Sequence, residues 1–502
     1  MNREFLVNII FLVAINLLIK PFFIFAIDRN VQNLVGERAY GVYFSLVSFT
    51  VMFQIINDLG IQNFNSREIA QHRQLLDKYF SNIIILKLCL SILYIFCVTI
   101  ISFIFQYDIA LFPLIFYLAL NQILFSLLGY LRSNVAALGF YRMNSLLTVL
   151  DRLLLILVCS GLIFIEPYRS HFEIMWFVHA QNTTLFLTCI VAFIIVFKKA
   201  KTVKWSFNMP FFLSILRGSL PYALAIFLMT IYTRTDVVMM ERMLSDGDRQ
   251  AGIYASAYRL LDAVNMLGFL FAGLLLPMFS RMLKSTESVV PLLRFSFQVI
   301  MVAAVTLAVA TWFHRTHIMQ LLYKEATPFS GDVLGILMFS FVAISGTYIY
   351  STLLGANGSV RKMNRVFIIA IALNIALNFL LIPYQKALGA AISTLITQLF
   401  VMIGMIALVR KELTLSQSEQ NPSGIAPTGG IRQKQDKKWI FQLLGFILWA
   451  FLINFTLKSS NIIENWVAQL GISMFLSLVV AFVLGLLNYK KLEILLHKNK
   501  II

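Results

Sequence analysis

The chain has 502 residues; 59% are hydrophobic, only 13% are charged, and the mean hydropathy is +0.82. A soluble domain of that size dresses itself with roughly a quarter charged residues, so a water-soluble enzyme or binding module is excluded and most of the outer surface faces hydrocarbon. The net charge of +18 does not point to nucleic acid, because Lys and Arg lie in short gaps between apolar runs, where basic residues anchor cytoplasmic loops.

A helix needs about 20 apolar residues to cross roughly 30 Å of hydrocarbon. On that measure the first six spans fall at Phe5–Ile27, Ala39–Leu59, Phe80–Phe105, Ile109–Tyr130, Met143–Ile165 and Phe172–Phe197. The first is too long for an excised signal and lacks a small-residue cleavage site, so it reads as a retained helix. Lys20 lies inside it, just ahead of Pro21, whose missing backbone donor can kink a helix. Lys87 sits about 12 Å into the third span, close enough to the inner interface to snorkel. The joint at Gln106–Asp108 is tight. The fifth span carries a polar stripe of Asn144, Thr148, Asp151 and Arg152.

Residues 198–217, with four Lys, Trp205, Phe207 and Phe211, suit the inner membrane interface. Six more spans follow at Phe211–Met240, Gly252–Phe279, Val289–Phe313, Val333–Leu354, Val366–Ile382 and Leu388–Val409. The seventh span holds Arg234 and Asp236, and the eighth holds Arg259 and Asp262. The eleventh holds Asn374 and Asn378 at i,i+4, a spacing that suits hydrogen bonding between helices. Residues 411–437 are rich in Ser, Gln, Gly and Pro and read as a flexible cytoplasmic linker. Beyond it lie spans at Trp439–Leu457 and Val467–Leu487.

With the N-terminus placed inside, the excess of basic over acidic loop residues falls wholly on the inner side. Lys198-Lys199-Ala200-Lys201, Arg361-Lys362 and Lys490-Lys491 all lie there. Adding or losing one span would invert every later loop and spoil the contrast. The expected fold is therefore an all-α polytopic membrane protein of about fourteen transmembrane helices, with both termini cytoplasmic. Four cysteines (Cys89, Cys97, Cys159, Cys189) fall inside apolar runs, form no CxxC pair and share no zinc-like spacing with the six His. No disulfide, metal or cofactor is expected.

The twelve-helix body contains an internal repeat. Gly41-Val42-Tyr43 opens the second span and Gly252-Ile253-Tyr254 the eighth; Gly139-Phe140-Tyr141-Arg142-Met143-Asn144 leads into the fifth and Gly358-Ser359-Val360-Arg361-Lys362-Met363-Asn364 into the eleventh. Each pair is separated by about 210–220 residues. The expected organisation is a six-helix lobe (1–200), a second pseudo-symmetric six-helix lobe (201–410), the linker (411–437) and a two-helix appendage (438–502). Such halves share an axis along the membrane normal and enclose a cavity that opens alternately to either side.

The ordered set Tyr40-Gly41-Val42-Tyr43, Asp58-Leu59-Gly60-Ile61, Arg67-Glu68-Ile69-Ala70, Ser219-Leu220-Pro221-Tyr222, Arg234-Thr235-Asp236, Gly252-Ile253-Tyr254-Ala255, Tyr258-Arg259-Leu260, Asn378-Phe379-Leu380-Leu381-Ile382-Pro383 and Leu388-Gly389-Ala390-Ala391 resembles the Wzx-type polysaccharide flippases. These form the O-antigen and capsule branch of the multidrug/oligosaccharidyl-lipid/polysaccharide exporter superfamily. The resemblance covers residues 1 to about 410. It implies a V-shaped bundle of two lobes in the bacterial cytoplasmic (inner) membrane. It also implies a cargo of undecaprenyl-pyrophosphate-linked oligosaccharide, flipped to the outer leaflet for lipopolysaccharide or capsule synthesis. Membrane lipids, a polysaccharide polymerase and glycosyltransferases are the implied partners. The final helix pair departs from the common twelve-helix pattern and is shared with lipid II flippases, although the Arg/Asp-rich first helix expected of those is missing.

An ionisable residue near the bilayer centre costs roughly 2.5–3.5 kcal/mol, so each needs a reason. Lys20, Arg152, Arg234 and Arg259 are the candidates for a cationic cavity that takes an anionic carrier pyrophosphate, which Arg grips with a bidentate fork. The helical rise puts Lys20, Arg234 and Arg259 at about the same outer-half level. Their approach to one cavity is implied by the resemblance alone. Asp151, Asp236 and Asp262 are candidates for ion coupling or charge pairing; Arg259 and Asp262, at i,i+3, could simply neutralise each other. The competing readings are a lipid II flippase, a cation-coupled multidrug or metabolite antiporter, an integral-membrane glycosyltransferase, ligase or polymerase, and a scaffold. The enzyme readings suffer from short outer loops; the longest, His314 to Asp332, holds His314, His317 and Glu325 without a catalytic constellation.

Overall fold

The computed structural model describes residues 15–62, 65, 69, 75–199, 209–285, 287–419, 429–460 and 465–487. Among them every regular element is helical. Two compact units divide the chain between Ala255 and Ser256.

In the unit formed by residues 2–255, the helical residues 15–22 run through Pro21 into a π-helical stretch, Phe23–Asp28. Proline removes one ladder donor, and the wider π turn takes up the slack. The following helix α1 (Arg29–Met52) is broken at Gly36, where φ of 82° suits glycine and separates the first span from the second. Next come α2 (Leu75–Ile104), α3 (Phe112–Ala137), α4 (Tyr141–Phe164), α5 (Ile174–Phe197) and α6 (Met209–Met243). The tight joint at Gln106–Asp108 is a genuine turn: Gln106 is left-handed (φ 54°), and Asp108 accepts from the Ala110 amide at 3.0 Å. Helices α3 and α5 pack together, as do α4 and α5, and α1 packs on α6.

Helix α7 (Gly247–Lys284) leads into the unit formed by residues 256–502, which continues with α8 (Val290–Leu322), α9 (Pro328–Ala356), α10 (Val360–Glu419), α11 (Gly429–Ser459) and α12 (Trp466–Val483). A capping box starts α9, in which Thr327 and Ser330 each satisfy the other's backbone amide. Lys386 (φ 53°) interrupts α10 and marks the boundary between the eleventh and twelfth spans read from the sequence. The most apolar windows of α8 and α9 are 72% and 67% buried, against 17% and 22% for α11 and α12. The first two helices are therefore central to this unit, and the last two face lipid. The pair α11–α12 docks on α8 through Val302, Val305, Val309, Phe446, Ala450 and Ala481.

Eleven described helices are long and apolar enough to cross a membrane. One of them, Val360–Glu412, holds two of the spans read from the sequence. The remaining two are the first, whose residues 5–14 lie outside the described set, and the second, shortened and made polar by its buried Ser45, Ser48, Thr50 and Asn57. Two differences stand out. Helix α8 runs on to Leu322, so His314 and His317 are helical rather than in a loop, with His317 stacked on Trp466 at 5.7 Å. Residues 411–419 and 429–437, read as linker, are helical, while 420–428 lie outside the described residues.

Candidate functional site

The fifth-span stripe of the sequence is one face of α4, because Asn144, Thr148 and Asp151 recur at i, i+4 and i+7. Onto that face α3 lays Arg132, whose guanidinium donates to Asn144 Oδ1 (3.3 Å) and Thr148 Oγ1 (2.6 Å). One turn further along, Arg152 approaches Asp151 at 3.4 Å and lies 4.9 Å over the ring of Phe23. Lys20, half-buried on the first helix, feels the charges of Arg152, Asp151 and Arg132. The structure thus pairs Asp151 with Arg152, adds Arg132 on the same face of α4, and leaves Lys20 within electrostatic reach of all three. Three cations and one carboxylate share a place where Asp151 is buried and the others half-buried.

Arg132 escapes the sequence reading, which closes the fourth span at Tyr130 and leaves Arg132 in an inner loop. Helix α3 instead runs to Ala137. The missed signal is the absence of a helix breaker before Gly139. Asp28, placed at a span edge, is also missed: it is 2% exposed and accepts from Tyr40 Oη at 2.6 Å. Asp236 is fully buried and accepts from Tyr254 Oη at 3.2 Å. Half-buried Arg234 lies on α6, one residue before buried Thr235.

Arg259 belongs to the other unit and contacts Asp262 at 3.7 Å, one turn on along the same helix. Lys87 does not snorkel. It is 4% exposed and donates to Asp58 (2.9 Å), Ser126 (2.8 Å) and the Asn57 carbonyl (3.2 Å), which uses all three of its hydrogens in a structural tie. Asn378 donates to Asn374, which reaches Ser393 beyond the Lys386 break, so this pair does link two helical segments. Among the described residues no group of three His, Cys, Asp or Glu could hold a metal. An apolar cavity of about 540 Å³ between α2 and α3, lined by Ile95, Val98, Phe112 and Phe116, has no charged side chain in its lining and lies apart from this site.

A second feature of the 2–255 unit is a glycine seam. A Cβ on Gly41 would fall 1.9 Å from the Asp248 carbonyl oxygen, and one on Gly252 would fall 2.0 Å from that of Glu37. Gly41 and Gly252 are 211 positions apart, and so are Glu37 and Asp248. The internal repeat is therefore expressed as a reciprocal backbone contact. Gln32 donates to the Gly252 carbonyl (3.1 Å) and Arg249 reaches Glu37 (3.3 Å), which pins the seam on both sides. Nearby, Arg242 donates to the Phe105 (2.6 Å) and Gln106 (3.1 Å) carbonyls and covers the Tyr107 ring. Burial, helped by the Glu241 carboxylate, pushes the Tyr107 phenol above its ordinary range.

The helical body and its eleven described membrane-length helices define a polytopic membrane protein, and solved structures share its fold. The lipid II flippase MurJ in an inward closed conformation is similar at a TM-score of 0.66 and 14% identity, covering 98% of this chain and 100% of that one. A mutant of the Vibrio cholerae MATE transporter VcmN gives 0.55 and 14%, covering 81% and 94%. A transporter of the superfamily from Pyrococcus furiosus gives 0.54 and 15%, covering 81% and 95%. Among curated proteins none matches. The polysaccharide biosynthesis protein family model matches residues 5–283, and the chain belongs to that family.

Proposed function

We propose that this protein flips undecaprenyl-pyrophosphate-linked oligosaccharide units from the cytoplasmic to the outer leaflet of the bacterial cytoplasmic membrane by alternating access. It acts as a transporter and not as an enzyme, and feeds the synthesis of O-antigen or capsule. The observation that carries this reading is the group of Lys20, Arg132 and Arg152 within membrane-spanning helices, offset by a single carboxylate. A pyrophosphate diester carries two negative charges and planar oxygen pairs that suit guanidinium forks. In this proposal Arg234 extends the cationic lining and Asp236 is a place where a coupling ion would bind, while Arg259 and Asp262 are the cation and carboxylate that the other unit contributes within itself. The loop charges support cytoplasmic termini.

The test is transfer of carrier-linked glycan in proteoliposomes. Arg132→Gln and Arg152→Gln should each lower the rate roughly tenfold, the cost of a lost charge-assisted contact. Wild-type rates with normal insertion would overturn the cationic site. A second reading, lipid II as cargo, is favoured by one observation: the similarity to MurJ extends over 98% of the chain and so includes α11 and α12. Supplying lipid II in place of the glycan carrier separates the two.

A further inference from the structure

Within the cationic group the two arginines are held differently. Arg132 is fixed by neutral acceptors, Asn144 and Thr148, so its position is set while its charge stays available. Arg152 is held by a charge, Asp151, through a long contact of 3.4 Å. The two are sequence neighbours on one helix, where side chains point about 100° apart and do not face each other. Charge-assisted pairs with good geometry close to 2.7–2.9 Å, so this one is easily displaced. Asp151 is also only 10% exposed at its side chain, against 33% for Arg152. Arg152, whose other contact is the face of the Phe23 ring, is therefore the partner that swings.

We propose that Asp151 is a resident counter-ion: it occupies Arg152 while the site is empty and yields it to the phosphate of the cargo. This rests on the flippase reading above and adds a reason for release. A site of three uncompensated cations in a low-dielectric surround would hold a pyrophosphate too tightly to turn over, as a pore binds ions only weakly enough to pass them on. On departure of the cargo, the Asp151 carboxylate recovers Arg152. Asp151 is thus a positioning residue that sets affinity and off-rate and need not touch the cargo.

The test uses the full-length protein in nanodiscs of zwitterionic lipid, titrated with a short-chain isoprenyl pyrophosphoryl sugar, together with transfer in proteoliposomes. Asp151→Asn should bind roughly tenfold tighter, with a slower off-rate and a lower saturated transfer rate. Asp151→Glu, which restores the charge, should behave as the wild type. Asp151→Ser serves as a second neutral variant if the Asn protein does not elute as a single species. Equal or weaker binding by the neutral variants would overturn the proposal. So would loss of probe binding when phosphatidylglycerol is added to the disc, since the site would then belong to bulk lipid phosphate. Failure of the underlying reading looks different: Arg132→Gln and Arg152→Gln would bind the probe as the wild type does.

Discussion

Lys87 and Arg132 are both cations on neighbouring helices, α2 and α3, and the fold uses them in opposite ways. Lys87 spends its three hydrogens on Asp58, Ser126 and the Asn57 carbonyl, so it ties α2 and α3 to the end of the second span. Removing one partner of such a pair strands the other. Lys87→Met should therefore destabilise the protein by about 3–5 kcal/mol, read as a drop of several degrees in the unfolding temperature of the detergent-solubilised protein. Lys87→Met with Asp58→Asn should recover part of the loss, and failure to recover would show that the pair is not the source. Arg132 rests on two neutral acceptors, so its loss should cost transport more than stability.

At the scale of elements, the glycine seam is the sharpest constraint. Any side chain at Gly41 or Gly252 would meet a backbone oxygen within about 2 Å, and a helix backbone cannot yield as a flexible side chain can. Gly41→Val should force α1 away from the start of α7. The readout is labelling of a cysteine placed at Gln32 by a membrane-impermeant maleimide, after Cys89, Cys97, Cys159 and Cys189 are changed to Ser. Increased labelling with reduced transfer is expected; unchanged labelling with normal transfer would mean that the contact is no seal. The broken helices belong to the same scale. Gly36 and Lys386 interrupt helices by taking positive φ, and each falls at a joint that the hydropathy pattern marks by its polar residues.

For the whole molecule, the loop charges predict sidedness. A fluorescent reporter joined after Lys199 should mature in the cytoplasm, and one joined after Asp246 should not, whereas alkaline phosphatase at the same positions should give the opposite pattern. The same result at both positions would show that the span count between them is wrong by one. The docked pair α11–α12 leaves a mostly apolar outer face, with Phe441, Leu448, Phe455, Phe475 and Phe482 each more than half exposed. That face suits contact with lipid.

By itself the sequence determined that this chain crosses a membrane many times and where most spans lie, and it showed two short motifs recurring at about the same spacing. These are additive, local quantities: each span is a sum of transfer energies over about 20 residues, and each loop charge acts near its own span. Family membership was legible for the same reason, as short motifs in order along the chain. Helix ends were less legible, because a reading based on hydropathy stops at the first charge. Arg132 is a charge that its helix carries inward. Only the tertiary structure decided which charged residues meet: Arg132 with the α4 stripe, Arg152 with the Phe23 ring, Asp28 with Tyr40, Lys87 with Asp58. It also turned Gly41 and Gly252 from a repeated motif into a reciprocal contact. Pairing depends on which helix faces lie against each other, and in a medium where every span is apolar the pattern that would reveal those faces is nearly silent. The few polar side chains carry that information, and it becomes readable only when their partners across the bundle are in place.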